Sequence, residues 1–154
     1  MNVTVDTLPA RRLATLRHTG PYAEIGGTFH RLAEIAARTG LFDRIEPAVL
    51  ALYHDDPERT PAAELRADAG YVVLDDAPLP GELTELTLAP GRYARASHIG
   101  PYSGLPAAWR ALLREWLPAS GHHHADGPSY EVYVDDPRTT PAEALRTDLL
   151  VPLR

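Results

Sequence analysis

The chain has no cysteine, which excludes disulfides, thiolate nucleophiles and cysteine-ligated metals. It has no lysine either. All 15 basic residues are arginine, so Schiff-base chemistry and a phosphate-loop lysine are absent. No apolar run approaches the roughly 20 residues that cross a bilayer, and no signal-peptide pattern opens the chain. A cytoplasmic protein without a membrane partner is expected. No serine-centred nucleophile motif or glycine-rich phosphate loop occurs, and nothing calls for a cofactor or resident metal. The net charge of -6 lacks the basic patch that direct nucleic-acid binding needs. What remains is a chain of 154 residues, 44% hydrophobic and 23% charged, the size and composition of one globular domain spanning 1–154.

That domain is written nearly twice. His18-Thr-Gly-Pro-Tyr-Ala-Glu-Ile25 returns as His98-Ile-Gly-Pro-Tyr-Ser-Gly-Leu105, with 4 of 8 positions identical. Tyr53 to Asp68 returns as Tyr133 to Asp148, with 10 of 16 identical and the same offset of 80. Two copies are too few for a solenoid, which needs about three repeats. The repeat instead predicts one domain of two similar halves, about 1–76 and 82–154, with a small-molecule cleft at the seam.

Each half reads β-α-β-β. Strands are predicted at 11–18 and 92–99, and Gly20-Pro21 and Gly100-Pro101 turn the chain into helices. Ile25, Phe29, Leu32 and Ile35 form one helical stripe, and Leu105, Trp109, Leu112 and Trp116 form the other. Gly40 and Gly121 follow as stop signals. Second strands are expected at about 48–53 and 130–134, broken by Asp-Asp-Pro. Thr60-Pro61 and Thr140-Pro141 then read as an N-cap followed by proline at the first position of a short helical turn. Third strands lie at 66–74 and 146–153. An extra strand, 2–7, is expected to pair with 83–88. The fold class is α+β, with helices packed on antiparallel sheets.

A functional site is expected where the halves differ. Glu131 stands mid-strand in Ser-Tyr-Glu-Val-Tyr, where carboxylates are poor strand formers, and its counterpart is Ala51. Alternation places Glu131 with Tyr133 on one face and Tyr130, Val132 and Val134 on the other. Tyr53, Tyr71 and Tyr133 read as candidate pocket walls, each with an apolar body and a polar tip. Trp109 reads as a core residue with an edge on the pocket. Tyr22 and Tyr102 begin helices and read first as packing residues, and Tyr102 joins the candidate ligand set. His122 to His124 sits in a glycine-flanked connection without a carboxylate partner and reads as a solvated loop. Arg66 with Asp68, and Arg146 with Asp148, read as scaffold ion pairs.

The His-x-Gly-Pro-Tyr openings, Tyr130-Glu-Val-Tyr133 and the Asp-Asp-Pro-x-x-Thr-Pro-x-x-x-Leu-Arg-x-Asp loops resemble the GyrI-like family. That family is related to the effector-binding domains of AraC-type and BmrR-type regulators. The version from Ala51 to Pro61 looks closest to the stand-alone DNA gyrase inhibitor branch. The resemblance implies two modules about a pseudo-twofold and a cleft for bulky aromatic or cationic compounds around Glu131. It implies three activities: drug sequestration in antibiotic or toxin tolerance, gyrase modulation, or hydrolysis of cyclopropane-bearing DNA alkylators. If the chain is an enzyme, Glu131 is the expected base on water and Tyr133 the expected donor to the developing oxyanion.

Overall fold

A computed structural model describes residues 1–154. In chain order the elements are β1 (Val3–Leu8), β2 (Arg11–Thr19), α1 (Gly26–Thr39), β3 (Ile45–Tyr53), β4 (Arg66–Val73), β5 (Thr84–Leu88), β6 (Gly91–Ile99), α2 (Leu105–Arg110), α3 (Leu117–Ser120), β7 (Ser129–Tyr133) and β8 (Arg146–Pro152). The class is α+β, and the repeat is a duplicated β-α-β-β module. The chain divides into two compact units, Ala10–Ala89 and Met1–Pro9 with Pro90–Arg154.

In the Ala10–Ala89 unit the strands run β3-β4-β2-β5, each pair antiparallel. In the other unit they run β1-β6-β8-β7, again antiparallel throughout. The expected pairing of the amino-terminal strand with 83–88 is therefore wrong. β1 pairs with β6, Leu8 opposite Gly91, and β5 pairs with β2, Leu88 opposite Arg11. These two pairings are images of each other under the 80-residue repeat, so each repeat gives its leading strand to the other. The compact units therefore cut across the repeat halves of 1–76 and 82–154, with the leading strand of each repeat in the other unit. The connections Pro9-Ala10 and Ala89-Pro90 also disfavour a tight two-residue hairpin, so neither leading strand folds back on its successor.

Each unit packs its helix on one sheet face. Thr28, Leu32, Ile35 and Ala36 of α1 are buried at three- and four-residue spacing, against Ala14, Ala69, Tyr71 and Val73. Gly40, at φ 75°, closes α1 in the left-handed region and donates its N–H to the Ala36 carbonyl. In the other unit Leu105, Ala108 and Leu112 pack on Ala94, Ala96, Leu149 and Val151, flanked by Trp109, Trp116 and Tyr133.

The repeated motifs hold the turns. His18 donates from Nε2 to the Pro21 carbonyl and His98 does the same to Pro101, both at 2.9 Å. Gly20 and Gly100 each donate an N–H to the carbonyls of Leu65 and Leu145. The short turns after Pro61 and Pro141 are 3-10 helices, Ala62–Glu64 and Ala142–Ala144. Both start one residue later than expected, with proline rather than threonine at the cap and no side-chain cap bond.

Candidate functional site

Register decides what the helix-facing surface of each sheet carries. In the Ala10–Ala89 unit one cross-strand row reads Leu16, Ala69, Ala51. The corresponding row in the other unit reads Ala96, Leu149, Glu131. Side chains directly opposite share a face, so a carboxylate stands where its counterpart, Ala51, is a fully buried methyl. Glu131 is only 3% exposed.

The surrounding side chains explain how it is tolerated. Trp109 of α2 donates its indole Nε1–H to Glu131 Oε1 at 2.6 Å. Tyr133, two residues on and therefore on the same face, donates its hydroxyl to Oε2. Both are neutral side chains that orient the carboxylate. Tyr102, at the start of the helix, packs edge-on against Tyr133 with centroids 5.5 Å apart. Burial pushes the Tyr102 phenol above its ordinary value, and the charges of Asp135, Asp136 and Glu131 push it further. Tyr102 is 37% exposed.

The structure thus brings Glu131, Tyr133, Trp109 and Tyr102 together within one unit. Tyr53 and Tyr71 belong to the other. Tyr53 pairs with Tyr22, centroids 4.7 Å apart. Tyr71, 5% exposed, sits in that unit's core against Phe42.

Thr147 escaped the sequence reading. It lies in register between His98 and Tyr133, is fully buried, and its hydroxyl has no hydrogen-bond partner. The repeat carried the signal, because the counterpart is Ala67. In the Ala10–Ala89 unit the hydroxyl comes from the helix instead: His18 Nδ1 meets Thr28 Oγ1 at 3.1 Å. Ala108 stands at the equivalent place in the other unit.

The opposite face carries the scaffold charges. Asp148 is 2% exposed and accepts from Ser97, Arg95 and Arg146, at 2.7, 2.7 and 2.9 Å. The expected Arg66–Asp68 pair does not form. Arg66 grips Asp55 with Nε and Nη2, and Asp68 accepts from Arg17 at 2.9 Å and His54 at 2.5 Å. Lysine-free chains keep planar forks available for such bidentate pairs. Burial alone would raise Asp68 and Asp148, but these hydrogen bonds outweigh it and hold both carboxyls below their ordinary value. His122 stacks on Trp116, centroids 6.0 Å apart, and His124 bonds Ser129 and the Ala125 carbonyl. The tract is thus tied into its own loop.

Against known proteins, the family model described as a GyrI-like small-molecule-binding domain matches residues 1–154. The chain belongs to the GyrI-like family. A relative in Edwardsiella piscicida named DNA gyrase inhibitor is 35% identical over 159 aligned residues, covering 100% of this chain and 99% of the relative. The fold of this GyrI-like chain matches the C-terminal domain of EcmrR with a TM-score of 0.84 at 18% identity, covering 99% of this chain and 97% of that one. It also matches SAV2435 bound to tetraphenylphosphonium, TM-score 0.75 at 14% identity, covering 100% and 94%. No helix of this GyrI-like chain is long and apolar enough to cross a membrane.

Proposed function

We propose that this chain binds bulky, hydrophobic, positively charged aromatic compounds at Glu131, and that it serves in drug or toxin tolerance by sequestering them. The observation that carries the reading is the buried Glu131 carboxylate held by the neutral donors of Trp109 and Tyr133. Aromatic pairs contribute roughly 0.5–1.5 kcal/mol each beyond area burial, and a desolvated cation on an aromatic face about 2. A few such contacts reach micromolar affinity, about -8 kcal/mol. The SAV2435 structure, with its tetraphenylphosphonium, supports this ligand class.

The test compares tetraphenylphosphonium with tetraphenylborate, ions of the same shape and opposite charge, by quenching of the two tryptophans. Saturable binding of the cation alone is expected, weakened about 10- to 30-fold by Glu131→Gln, the equivalent of roughly 1.4–2 kcal/mol. Equal affinity for both ions, or indifference to Glu131→Gln, defeats the assignment. Mass spectra of the recovered compound separate binding from hydrolysis.

The gyrase inhibitor name of a relative 35% identical over its whole length supports a second reading, modulation of DNA gyrase by protein contact. A supercoiling assay decides it. Unchanged gyrase activity in a large excess of this protein removes it.

A further inference from the structure

The two helices of the repeat differ in a way that bears on Trp109. Phe29, its counterpart, lies in the uninterrupted 14-residue α1. Trp109 lies in α2, six residues long, with a 3-10 turn (Tyr102–Gly104) before it and a π-helical turn (Ala111–Trp116) after it. The sequence shows where that π turn comes from. The offset between repeats is 80 at Phe29 and Trp109, 81 at Gly40 and Gly121, and 80 again at Leu50 and Tyr130. One surplus residue thus lies between Trp109 and Gly121, and the connection to β7 is one residue shorter. The helix absorbs the surplus by widening: Leu117 donates its N–H to Leu112, five residues back, rather than four. Pro118 holds the wide turn in place. It has no N–H to offer, and the π geometry keeps its ring off the Arg114 carbonyl that a regular helix would press against it.

We infer that the surplus residue makes the π turn a hinge, and that Trp109 is the internal occupant of the Glu131 site, which swings out on that hinge when a ligand takes its place. The inference rests on the cation-binding reading of Glu131. The geometry favours it in three ways. Trp109 occupies Glu131 Oε1 with its own N–H, so a cation approaching that oxygen competes with the indole. The five-residue hydrogen bonds of a π turn make it the weak point of a helix, so α2 can pivot there while the turn after it, fixed by Pro118, stays put. The far end is anchored, since Gly121 closes α3 at φ 79° and His122 stacks on Trp116. The α1 helix has no surplus residue and the sheet beneath it carries Ala51 in place of Glu131, so the two features occur together only where the indole meets Glu131.

Deleting the exposed Glu115 restores the 80-residue offset and removes the surplus residue on which the wide turn depends. With tetraphenylphosphonium as probe in stopped-flow fluorescence, the deletion is expected to slow association at least 10-fold while far-UV circular dichroism stays unchanged. Adding Trp109→Phe to the deletion is expected to restore association to within about threefold of the Trp109→Phe chain. Association unchanged by the deletion overturns the hinge, and so does a double variant as slow as the deletion alone. If the deletion does not fold, hydrogen exchange on the unaltered chain decides: the Leu117 amide is expected to change protection at least fivefold with bound tetraphenylphosphonium. Unchanged protection refutes the hinge. Failure of the unaltered chain to bind the cation defeats the binding reading and the hinge with it, whereas binding without these effects defeats the hinge alone.

Discussion

Replacing Trp109 by phenylalanine installs the residue that the other repeat uses at this place, and it tests whether the indole N–H holds Glu131. The bond is 2.6 Å long and ends on a carboxylate 3% exposed. A hydrogen bond to a charged group contributes about 1.5–3 kcal/mol, and losing it leaves a buried acceptor underserved. The smaller ring gives up roughly 1 kcal/mol more in packing. Trp109→Phe should therefore cost about 2–4 kcal/mol, lowering Tm by roughly 5–12 °C at this chain length. Glu131→Ala copies Ala51 in the same manner. The double variant reproduces the Phe29 and Ala51 pairing of the Ala10–Ala89 unit, so Trp109→Phe in a Glu131→Ala background should cost only its packing share. Urea denaturation of the four chains closes a double-mutant cycle, with an expected coupling of about 1.5–3 kcal/mol. A coupling under about 0.5 kcal/mol would mean that the indole merely packs nearby, and the site as described would fall.

Three further outcomes follow from the same geometry. Thr147→Val removes a fully buried hydroxyl that has no partner, so it should stabilise by about 1 kcal/mol and raise Tm by roughly 2–4 °C in calorimetry; a lower Tm would show that the hydroxyl is served. Tyr22 donates to the carbonyls of Asp55 and Arg66 and accepts the Asp55 N–H, so Tyr22→Phe should cost about 1–2 kcal/mol and speed tryptic cleavage at Arg59; unchanged cleavage would remove its role as loop clamp. Asp68 and Asp148 are held below their ordinary value in the folded chain. Their stabilisation is fully present above the unfolded value near 3.9 and is lost as pH falls through it toward the lower folded value. Asp148→Asn should therefore lower stability at pH 7 and flatten its decline below about pH 4, and an equally steep acid limb would contradict the assignment.

Much of this was legible because the chain repeats itself. The helices, the three main strands of each half and the oddity of Glu131 all follow from laying one copy over the other. What the overlay could not supply was pairing between copies. Leu8 opposite Gly91 involves residues 83 apart with no local pattern to join them, and only the prolines at the two short connections argue against the simpler pairing. Ion pairs were missed for a related reason. Arg66 and Arg146 are aligned, yet His54 and Arg17 take Asp68 in one unit where Ser97 and Arg95 help take Asp148 in the other. A guanidinium follows whichever carboxylate its neighbours leave open, and those neighbours lie on other strands. The placing of Tyr71 was not legible from residue type: β4 is buried on both faces from Ala67 to Val73, which takes the ring into that unit's core.

The differences between the units divide into two kinds, and the division bears on the proposed site. On the charged face they compensate in place. Arg17 gives way to Ser97, His54 to Val134 and Thr15 to Arg95, yet Asp68 and Asp148 both end buried, hydrogen-bonded and depressed. On the helix face of the unit that holds Glu131 they change what the face carries. Glutamate replaces alanine, tryptophan replaces phenylalanine, threonine replaces alanine and leaves an orphaned hydroxyl, and the helix above takes an extra residue. Trp109 and Tyr133 answer the Glu131 carboxylate, so Thr147 is the one buried hydroxyl left unmatched, at a cost of about 1–3 kcal/mol. Four departures gathered on one face of one unit support the proposed placing of the binding site at Glu131.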